Sequence, residues 1–575
     1  MSGLTVASKR PWQLAPSYPE VEQSFVRELE VPPAIARILA GRGFDSSARA
    51  REFLHPSLDS LHDPSLLPDY DRARAEILGA ISRKEKIYVH GDYDVDGVTS
   101  AAILTRFLRA IGGDVAVHVP HRQKEGYGIH QMAINEAKEM GAHLFLTCDC
   151  GISAQAQVEA AKEAGMRVVV TDHHEPGPVL PKAHAVVNPH REDSTYPFKN
   201  LSGAGVAFKL CAGLTRDLQH PVEGFYRAYL DLVTLGTVAD VMPLVDENRI
   251  LVRHGLERIR ASQKPGLQEL LRVAFNEIPN TLKSDHVGFQ IGPRLNAAGR
   301  LDDASLSLQL LMEKDRTAAR ELALRLNEIN DARKLEQSRI VDQAVEMVRE
   351  LELDKQPILV VSNPGWPSGI IGLVAGKLLD TFERPTFVIS YEEGSTTAKG
   401  SARSLPGFHL AEAIHGLHTI CSGGGHELAA GIGIEVDRIA EFKQAVNALA
   451  QEIGYVPAPA PLHIDAEVTA EEVDLDVMDE YALLEPFGAE NPRPTFVSRR
   501  MRVESKVPLS NGKHTKMILR SESGTRRDLL AWNRNEDLGW VEPNDSIDVA
   551  YEPSINEFNG NRSVQWKLVD LATSG

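Results

Sequence analysis

The sequence predicts an α/β multidomain protein: a parallel-sheet domain, long connecting helices, a second α/β domain and a small C-terminal β-barrel. Three observations carry this expectation. Short apolar runs alternate with helical stretches from Lys86 onward; residues from about 304 to 352 are rich in Ala, Leu, Glu, Arg and Lys without Pro or Gly; and the chain beyond about 460 breaks into short strand-like runs with Gly/Asn turns. At 575 residues the chain is too long for one core, and about 150 residues per domain suggests three to four units.

Residues 1–65 read as an N-terminal helical scaffold, broken at Pro32-Pro33, Gly41-Arg42-Gly43 and Pro64. Residues 66–245 hold the alternating pattern: KIYVH, TSAAILTRFLRAIG, DVAVHV, HQMAINEAKEMG, HLFLTC, SAQAQVEAAKEAG and RVVVT, closed by FYRAYLDLVTLGTVAD. Strand and helix in strict succession are the signature of a parallel sheet covered on both faces. Residues 246–352 form a helical region and connector, and 353–454 a second alternating region with QPILVVS, IIGLVAGKLLDTF and PTFVISY. YVPAPAPLH is a Pro/Ala-rich linker. Residues 460–575, with FVSRRMRVES, HTKMILRS, RRDLLAWN, SIDVAYEP and RSVQWKLVDL, read as the barrel.

Composition narrows the class. Hydrophobic residues at 42% and charged residues at 25% are those of a folded globular chain. No apolar stretch reaches membrane-spanning length, and MSGLTVASKRPWQLA lacks a signal-peptide core, so no membrane partner and a cytoplasmic location are expected. Cys148, Cys150, Cys211 and Cys421 are too few for a disulfide framework and lack zinc-site spacing. The formal charge of −18 argues at first sight against a nucleic-acid partner. Phosphate affinity depends instead on local Lys and Arg and on bound cations, so local charge decides.

Acidic residues fall at the exits of the expected strands. KIYVH runs into Asp92, Asp94 and Asp96; HLFLTC into Asp149; RVVVT into Asp172, His173 and His174; and VTLGTVA into Asp240. Ligands of open parallel sheets bind outside the carboxyl ends of the strands, so these groups should converge. One Asp after a strand is commonly a turn former or helix cap, but four such sites in one sheet call for another explanation. Convergent carboxylates need positive charge, and Asp with His is the ligand chemistry of manganese, magnesium or zinc; without thiolates in the set, hard or borderline ions such as manganese fit best. Two such ions would clamp a phosphate and acidify a water for phosphodiester hydrolysis.

The segments HGDYDVDG, TCDCG, TDHH and GTVADVMPL resemble, in order, the four motifs of the DHH phosphoesterase superfamily. The resemblance implies two divalent metal ions, usually manganese with magnesium as the alternative, and six candidate catalytic residues. Asp94 and Asp96 would each bind one ion, Asp149 would bridge, His173 and Asp240 would complete the shells, and His174 would reach the substrate phosphate. His90, four residues before Asp94, occupies the place of a metal-binding His in other branches and is a further candidate ligand.

PHRQKEGYG, LSGAGVAFKL, GPRLNAAGRLDD, KGSARS and GGGHELAAG are similar to signatures of the RecJ branch. That resemblance implies an exonuclease hydrolysing single-stranded DNA from its 5′ end to mononucleotides in recombination and repair. It also implies a DHH-associated domain at 353–454, a C-terminal OB-fold, and single-strand-binding protein and a helicase as candidate partners. Arg122, Arg294 and Arg300 are expected in loops where a guanidinium grips a terminal phosphate. Ser401, Arg403, Ser404 and His426 are expected as donors among Gly-rich loops. GWPSGIIG departs from the pattern: Pro367 stands where RecJ proteins commonly show His, which removes an imidazole donor. Arg499, Arg500, Arg502, Lys506, Lys513, Lys516, Arg520, Arg526 and Arg527 form a local basic patch interrupted only by Glu504 and Glu522, and Trp532, Tyr551 and Trp566 either stack bases or fill the barrel core.

Two other functions use the same residues. A phosphodiesterase for short oligonucleotides or cyclic dinucleotides needs the same metal site, but the basic barrel and long connector argue against it. A non-catalytic DNA-binding scaffold would have lost metal-binding carboxylates, and every expected one is present.

Overall fold

Five apolar runs pair in parallel in the order β2-β1-β3-β4-β5, where β1 is Lys86–His90, β2 Asp114–His118, β3 Ala142–Thr147, β4 Arg167–Thr171 and β5 Ala185–Val187. The structure is a computed structural model and describes residues 10–122, 124–509, 512–535, 538–558 and 560–574. Residues 1–9 of the expected scaffold and Gln123 of PHRQKEGYG lie outside these.

Alternation along β1 divides the apolar load between two faces. Ile87 and Val89 join the core formed with helices α1 (Val95–Ala110), α4 (Gly203–Asp217) and α5 (Val222–Ala239). Tyr88 faces the opposite core, with α2 (Gln131–Glu139) and α3 (Gln155–Glu163). Cys148 joins the first of these cores and Cys150 is buried beside it in sequence, in keeping with a packing role. Helix α6 (Gly292–Leu301) leads to the connector, where the Ala/Leu/Glu-rich stretch forms Ser305–Met312 and then the 35-residue α7 (Arg316–Glu350). Asp315 caps α7 by accepting from Ala318 N at 2.9 Å.

The second sheet is mixed, in the order β9-β10-β8-β7-β6, from β6 (Leu359–Pro364), β7 (Thr386–Tyr391), β8 (Thr397–Arg403), β9 (Cys421–Gly425) and β10 (Ala429–Glu435). Only β6 and β7 run parallel. Both sheets belong to one compact unit, Leu58–Ala458 with Gly488–Glu490.

The other unit joins the described residues of Met1–Ser57 to Pro459–Phe487 and Asn491–Gly575. Its barrel consists of β11 (Phe496–Leu509), β12 (His514–Arg520), β13 (Arg526–Ala531), β14 (Ser546–Phe558) and β15 (Asn561–Thr573), closed by pairing of β11 with β14. A separate scaffold at 1–65 and a barrel at 460–575 were expected, whereas the first segment shares the barrel's core: Phe25, Ile35 and Leu39 pack in one cluster with Tyr481, Phe496 and Met501. Strand Trp12–Leu14 pairs with Leu462–Ile464, and Arg42 bonds Asp465 at 2.9 Å and Asn491 at 2.7 Å. Among the described residues no helix is long and apolar enough to cross a membrane.

Candidate metal centre

The loop from β1 into α1 places three carboxylates within one turn. Asp94 caps α1, its Oδ1 accepting from Gly97 N at 3.0 Å. Asp96, in the first turn of α1, is buried and takes 2.6 and 2.9 Å hydrogen bonds from Gly203 N and Ala204 N at the start of α4. The positive end of that helix therefore offsets part of the cost of burying the carboxylate. The loop is fixed from α6, where Asn296 Oδ1 accepts from Val95 N at 3.1 Å and Gly299 leaves room for the Tyr93 carbonyl. Asn296 and Gly299 lie in GPRLNAAGRLDD, the segment that also carries Arg294 and Arg300.

Asp149 leaves β3 in the left-handed region, φ 61°, and is buried. Two glycines clear its surroundings: a Cβ on Gly203 would lie 2.6 Å from Asp149 Oδ1, and one on Gly236 would lie 2.4 Å from Asp96 Oδ1. His173 Nε2 faces Asp149 Oδ1 at 3.1 Å, Asp240 Oδ2 at 3.6 Å and Asp96 Oδ2 at 3.7 Å. Three sets of ligand atoms each lie within 4.8 Å of one another: Asp149, His173, His174; Asp96, His173, Asp240; and Asp92, Asp94, Asp149. All six candidate catalytic residues are thus brought together, with Asp92 beside them.

The donors fit divalent cations. Asp92 Oδ1 and Asp149 Oδ1 are buried without a hydrogen-bond partner, and oxygen with imidazole is the set that hard and borderline ions take. Burial, then the charges of Asp96, Asp94 and Asp92, push Asp149 well above the usual carboxylate range. Burial and then Asp94 raise Asp96 to about 7; burial, Asp96 and Asp94 raise Asp240 to about 9. Burial and then His174 lower His173 to about 4, so its ring is neutral and free to ligate. For His174 burial acts downward, but the 2.7 Å bond from Nδ1 to Asp172 Oδ1 and the charge of Asp172 outweigh it and hold the ring at about 9. Asp172, fully buried, also accepts from Ile152 N and His173 N, and with Asp92 it completes a site whose two strand-exit acids were seen in the sequence but not chosen.

His90 is placed elsewhere. Its buried ring lies against Gly128 O, 3.1 Å from Nε2, and joins none of the three ligand sets. As the last residue of β1 it shares the face of Tyr88, where its ring stacks on His118 and Phe145. The spacing of four from Asp94 is a spacing along a turn and does not bring that ring among the carboxylates.

The arginines divide. Arg294 and Arg300 stand on α6 and not in loops. The Arg294 guanidinium is committed to Asn327 Oδ1 at 2.9 Å, Gln290 O at 2.6 Å and Val273 O at 3.3 Å, which ties α6 to its neighbours. Arg300 is pulled down to about 10 by burial and then by the nearby charges of Arg122 and Arg333, with Asp94 opposing and Arg403 adding. Arg122, Arg333, Arg403 and Asp94 thus all lie within electrostatic reach of Arg300; Arg333 carried no signal in the sequence because it sits inside the connector helix. Arg122 also lies over the Tyr93 ring, 4.9 Å from its centroid. Ser401 and Arg403 on β8 face the helix Ile371–Phe382 at Gly372. Ser404 is buried and spends its hydroxyl on Phe408 O at 2.8 Å, so it is a structural donor. His426 is exposed and lines a cavity with His174. Pro367 accepts through its carbonyl from Ile370 N at 3.2 Å in the turn before the helix.

On the barrel the basic patch is largely paired. Arg499 meets Glu467 and Asp548, Arg500 meets Glu522, Lys516 meets Asp528, and Arg520 and Arg526 share Glu504. Glu467 and Asp548 come from other segments, whereas Asp528 lies on β13 itself. Tyr551 and Trp566 are core, stacked at 3.7 Å, whereas Trp532 is 48% exposed.

Three family matches follow the chain: the DHH family N-terminal domain over residues 86–237, the DHHA1 domain over 355–452 and the RecJ OB domain over 464–570. The single-stranded-DNA-specific exonuclease RecJ of Bacillus subtilis is 37% identical, covering 99% of this chain and 72% of that protein. Its counterpart from Escherichia coli is 35% identical, covering 95% and 97%. The crystal structure of RecJ in complex with Mn2+ from Thermus thermophilus superposes with a TM-score of 0.82 at 32% identity, covering 99% of this chain and 80% of that one.

Proposed function

The chain belongs to the RecJ family of single-stranded-DNA-specific exonucleases, and we propose that it releases mononucleotides one at a time from the 5′ end of a single strand. It is a metal-dependent phosphodiester hydrolase. The observation that carries the reading is the convergence of Asp94, Asp96, Asp149, His173 and Asp240, with an unpartnered buried oxygen on Asp149 and another on neighbouring Asp92.

Those five residues would hold two divalent ions, manganese or magnesium. When bound, the ions supply positive charge to the phosphate and acidify a water. The chain's own groups do the rest. Asp172 holds His174 through Nδ1, which leaves Nε2 to donate to a phosphate oxygen. Arg122, Arg300 and Arg403, with Ser401, take up the terminal phosphate near Asp94, and burial of Arg300 strengthens that contact by excluding water. Helix α4 and the glycines Gly203 and Gly236 keep the carboxylates at ligating distance. Exposed Trp532 supplies a stacking face on the barrel for the distal strand. The domains at 66–245 and 353–454 form the two sides of the reaction cleft, a single-strand-binding protein and a helicase supply the substrate, and the enzyme acts in the cytoplasm.

A time course with Mn2+ on a long single strand, labelled at its 5′ or its 3′ end, tests this beside a blunt duplex. Immediate release of labelled mononucleotide from the 5′-labelled strand alone is expected. Release first from the 3′ label, or equal cutting of the duplex, would overturn it.

A further inference from the structure

His174 has a second neighbour besides Asp172. The hydroxyl of Tyr127 lies 3.2 Å from its Nδ1, and the two rings meet at 68° with centroids 5.6 Å apart. Tyr127 stands on the rim of a cavity of about 700 Å³ that also takes in His174, Gly151, Ile152, Gly425 and His426. That volume lies in the roughly 300–1,000 Å³ range of pockets that enclose a whole organic ligand. No Lys or Arg is among the described residues that line it. Its one cationic group is His174, beside the carboxylates of Asp172 and Glu175, so the cavity borders the phosphate that His174 contacts but lacks the guanidiniums that a terminal phosphate takes, which gather around Arg300.

Its surfaces suit a flat, neutral group. The floor at Gly151 is bare backbone, and no side chain could stand there: φ is 113° and a Cβ would lie 3.0 Å from Thr147 Oγ1. Ile152 turns its amide into Asp172 at 2.9 Å and buries its side chain, so it too presents backbone. The Tyr127 turn is tied down on both sides, by His90 Nε2 at 3.1 Å from Gly128 O and by His130 Nε2 at 3.2 Å from Tyr127 O. The tyrosine ring is nevertheless 50% exposed, so it is anchored by its backbone and offered to a ligand.

We propose that this cavity is a nucleoside pocket: it takes the base and sugar of the nucleotide being released, with Tyr127 stacking on the base and its hydroxyl positioning His174. The proposal rests on the nuclease reading and adds where the neutral half of the substrate sits. It also gives buried His90 a task, as the anchor of the turn that carries Tyr127.

The test uses the full chain with Mn2+ and 5′-phosphorylated single strands whose first residue carries a base or is abasic. The wild type should favour the normal strand roughly tenfold in kcat/KM, the loss of one stacked base. Tyr127→Ala should cut both strands alike, and Tyr127→Phe should keep the discrimination while kcat falls. Equal rates on both strands by the wild type, discrimination retained by Tyr127→Ala, or sensitivity to an abasic second residue alone would overturn the pocket. Failure of the wild type to cut any strand would instead overturn the nuclease reading.

Discussion

Replacing Asp149 by Asn removes one charge and almost no volume from the middle of the carboxylate cluster. Asp149 belongs to two of the three ligand sets, is 3% exposed, and leaves one buried oxygen unpartnered. An amide there would hold divalent cations far more weakly than a carboxylate, so charge stabilisation of several kcal/mol would be lost. At about 1.36 kcal/mol per decade this lowers kcat by about a thousandfold or more. The chelated protein should respond in the opposite sense. Burial and the charges of Asp96, Asp94, Asp92 and Asp240 already oppose ionisation of Asp149, so its neutral replacement relieves on the order of 1–3 kcal/mol of repulsion. The assay is paired: thermal melts in EDTA and in Mn2+, and single-turnover hydrolysis of a labelled strand. The Asp149→Asn protein should melt a few degrees higher in EDTA, gain little from Mn2+, bind single-stranded DNA and fail to cut it. Activity within tenfold of the wild type, or a lower melt in EDTA with the Mn2+ gain intact, would refute the reasoning.

Gly203→Ala would force a Cβ to 2.6 Å from the Asp149 carboxylate; overpacking of this kind costs about 1–3 kcal/mol, and the Mn2+-induced rise in Tm and kcat should both fall, whereas an unchanged Mn2+ response would contradict the close approach. Asp96 and Asp240, held at about 7 and about 9 when the protein is chelated, lie above their unfolded range, so their contribution to stability is full below about pH 4 and lost as pH rises through those values. His173, lowered to about 4, works the other way, losing stability as pH falls from about 6.5. Tm in EDTA should therefore decline from about pH 6 to pH 9 and the gain from Mn2+ should grow over the same window; a gain independent of pH would count against the cluster. Arg300→Ala should raise KM for 5′-phosphorylated strands roughly 10- to 100-fold, the worth of a charge-assisted bond, and abolish the preference over 5′-hydroxyl strands; a retained preference would remove Arg300 from the phosphate site.

The parallel sheet and the acids at its strand exits were legible because both are local signals: strands end where periodicity ends, and Asp94, Asp149 and His173 follow; VTLGTVA, grouped with the expected strands, is instead the last part of helix α5, so Asp240 reaches the cluster from a helix C-terminus. What escaped reading depends on contacts between distant segments. Trp12 pairs beside Leu462, and no property of residues 10–57 alone announces a partner that far along the chain. Arg294 was expected in a loop, yet it stands on a helix that uses Pro293 in its first turn and Gly299 to approach Tyr93. His90 and Ser404 have the right chemistry, but the His90 ring is turned to Gly128 O and stacked on His118 and Phe145, outside the ligand sets, and the Ser404 hydroxyl is spent on Phe408 O. Arg499 looked free because its partners Glu467 and Asp548 come from other parts of the chain, and Arg520 and Arg526 because one carboxylate, Glu504, serves both.

Titration of EDTA-stripped wild-type protein with Mn2+, followed by electron paramagnetic resonance alongside hydrolysis of a single strand, tests the central claim most directly. Two ions per chain with a spin-coupled signal, and hydrolysis that appears as the second ion binds, are predicted. Binding of one isolated ion, or hydrolysis at full rate without a coupled pair, would contradict the assignment of the carboxylate cluster.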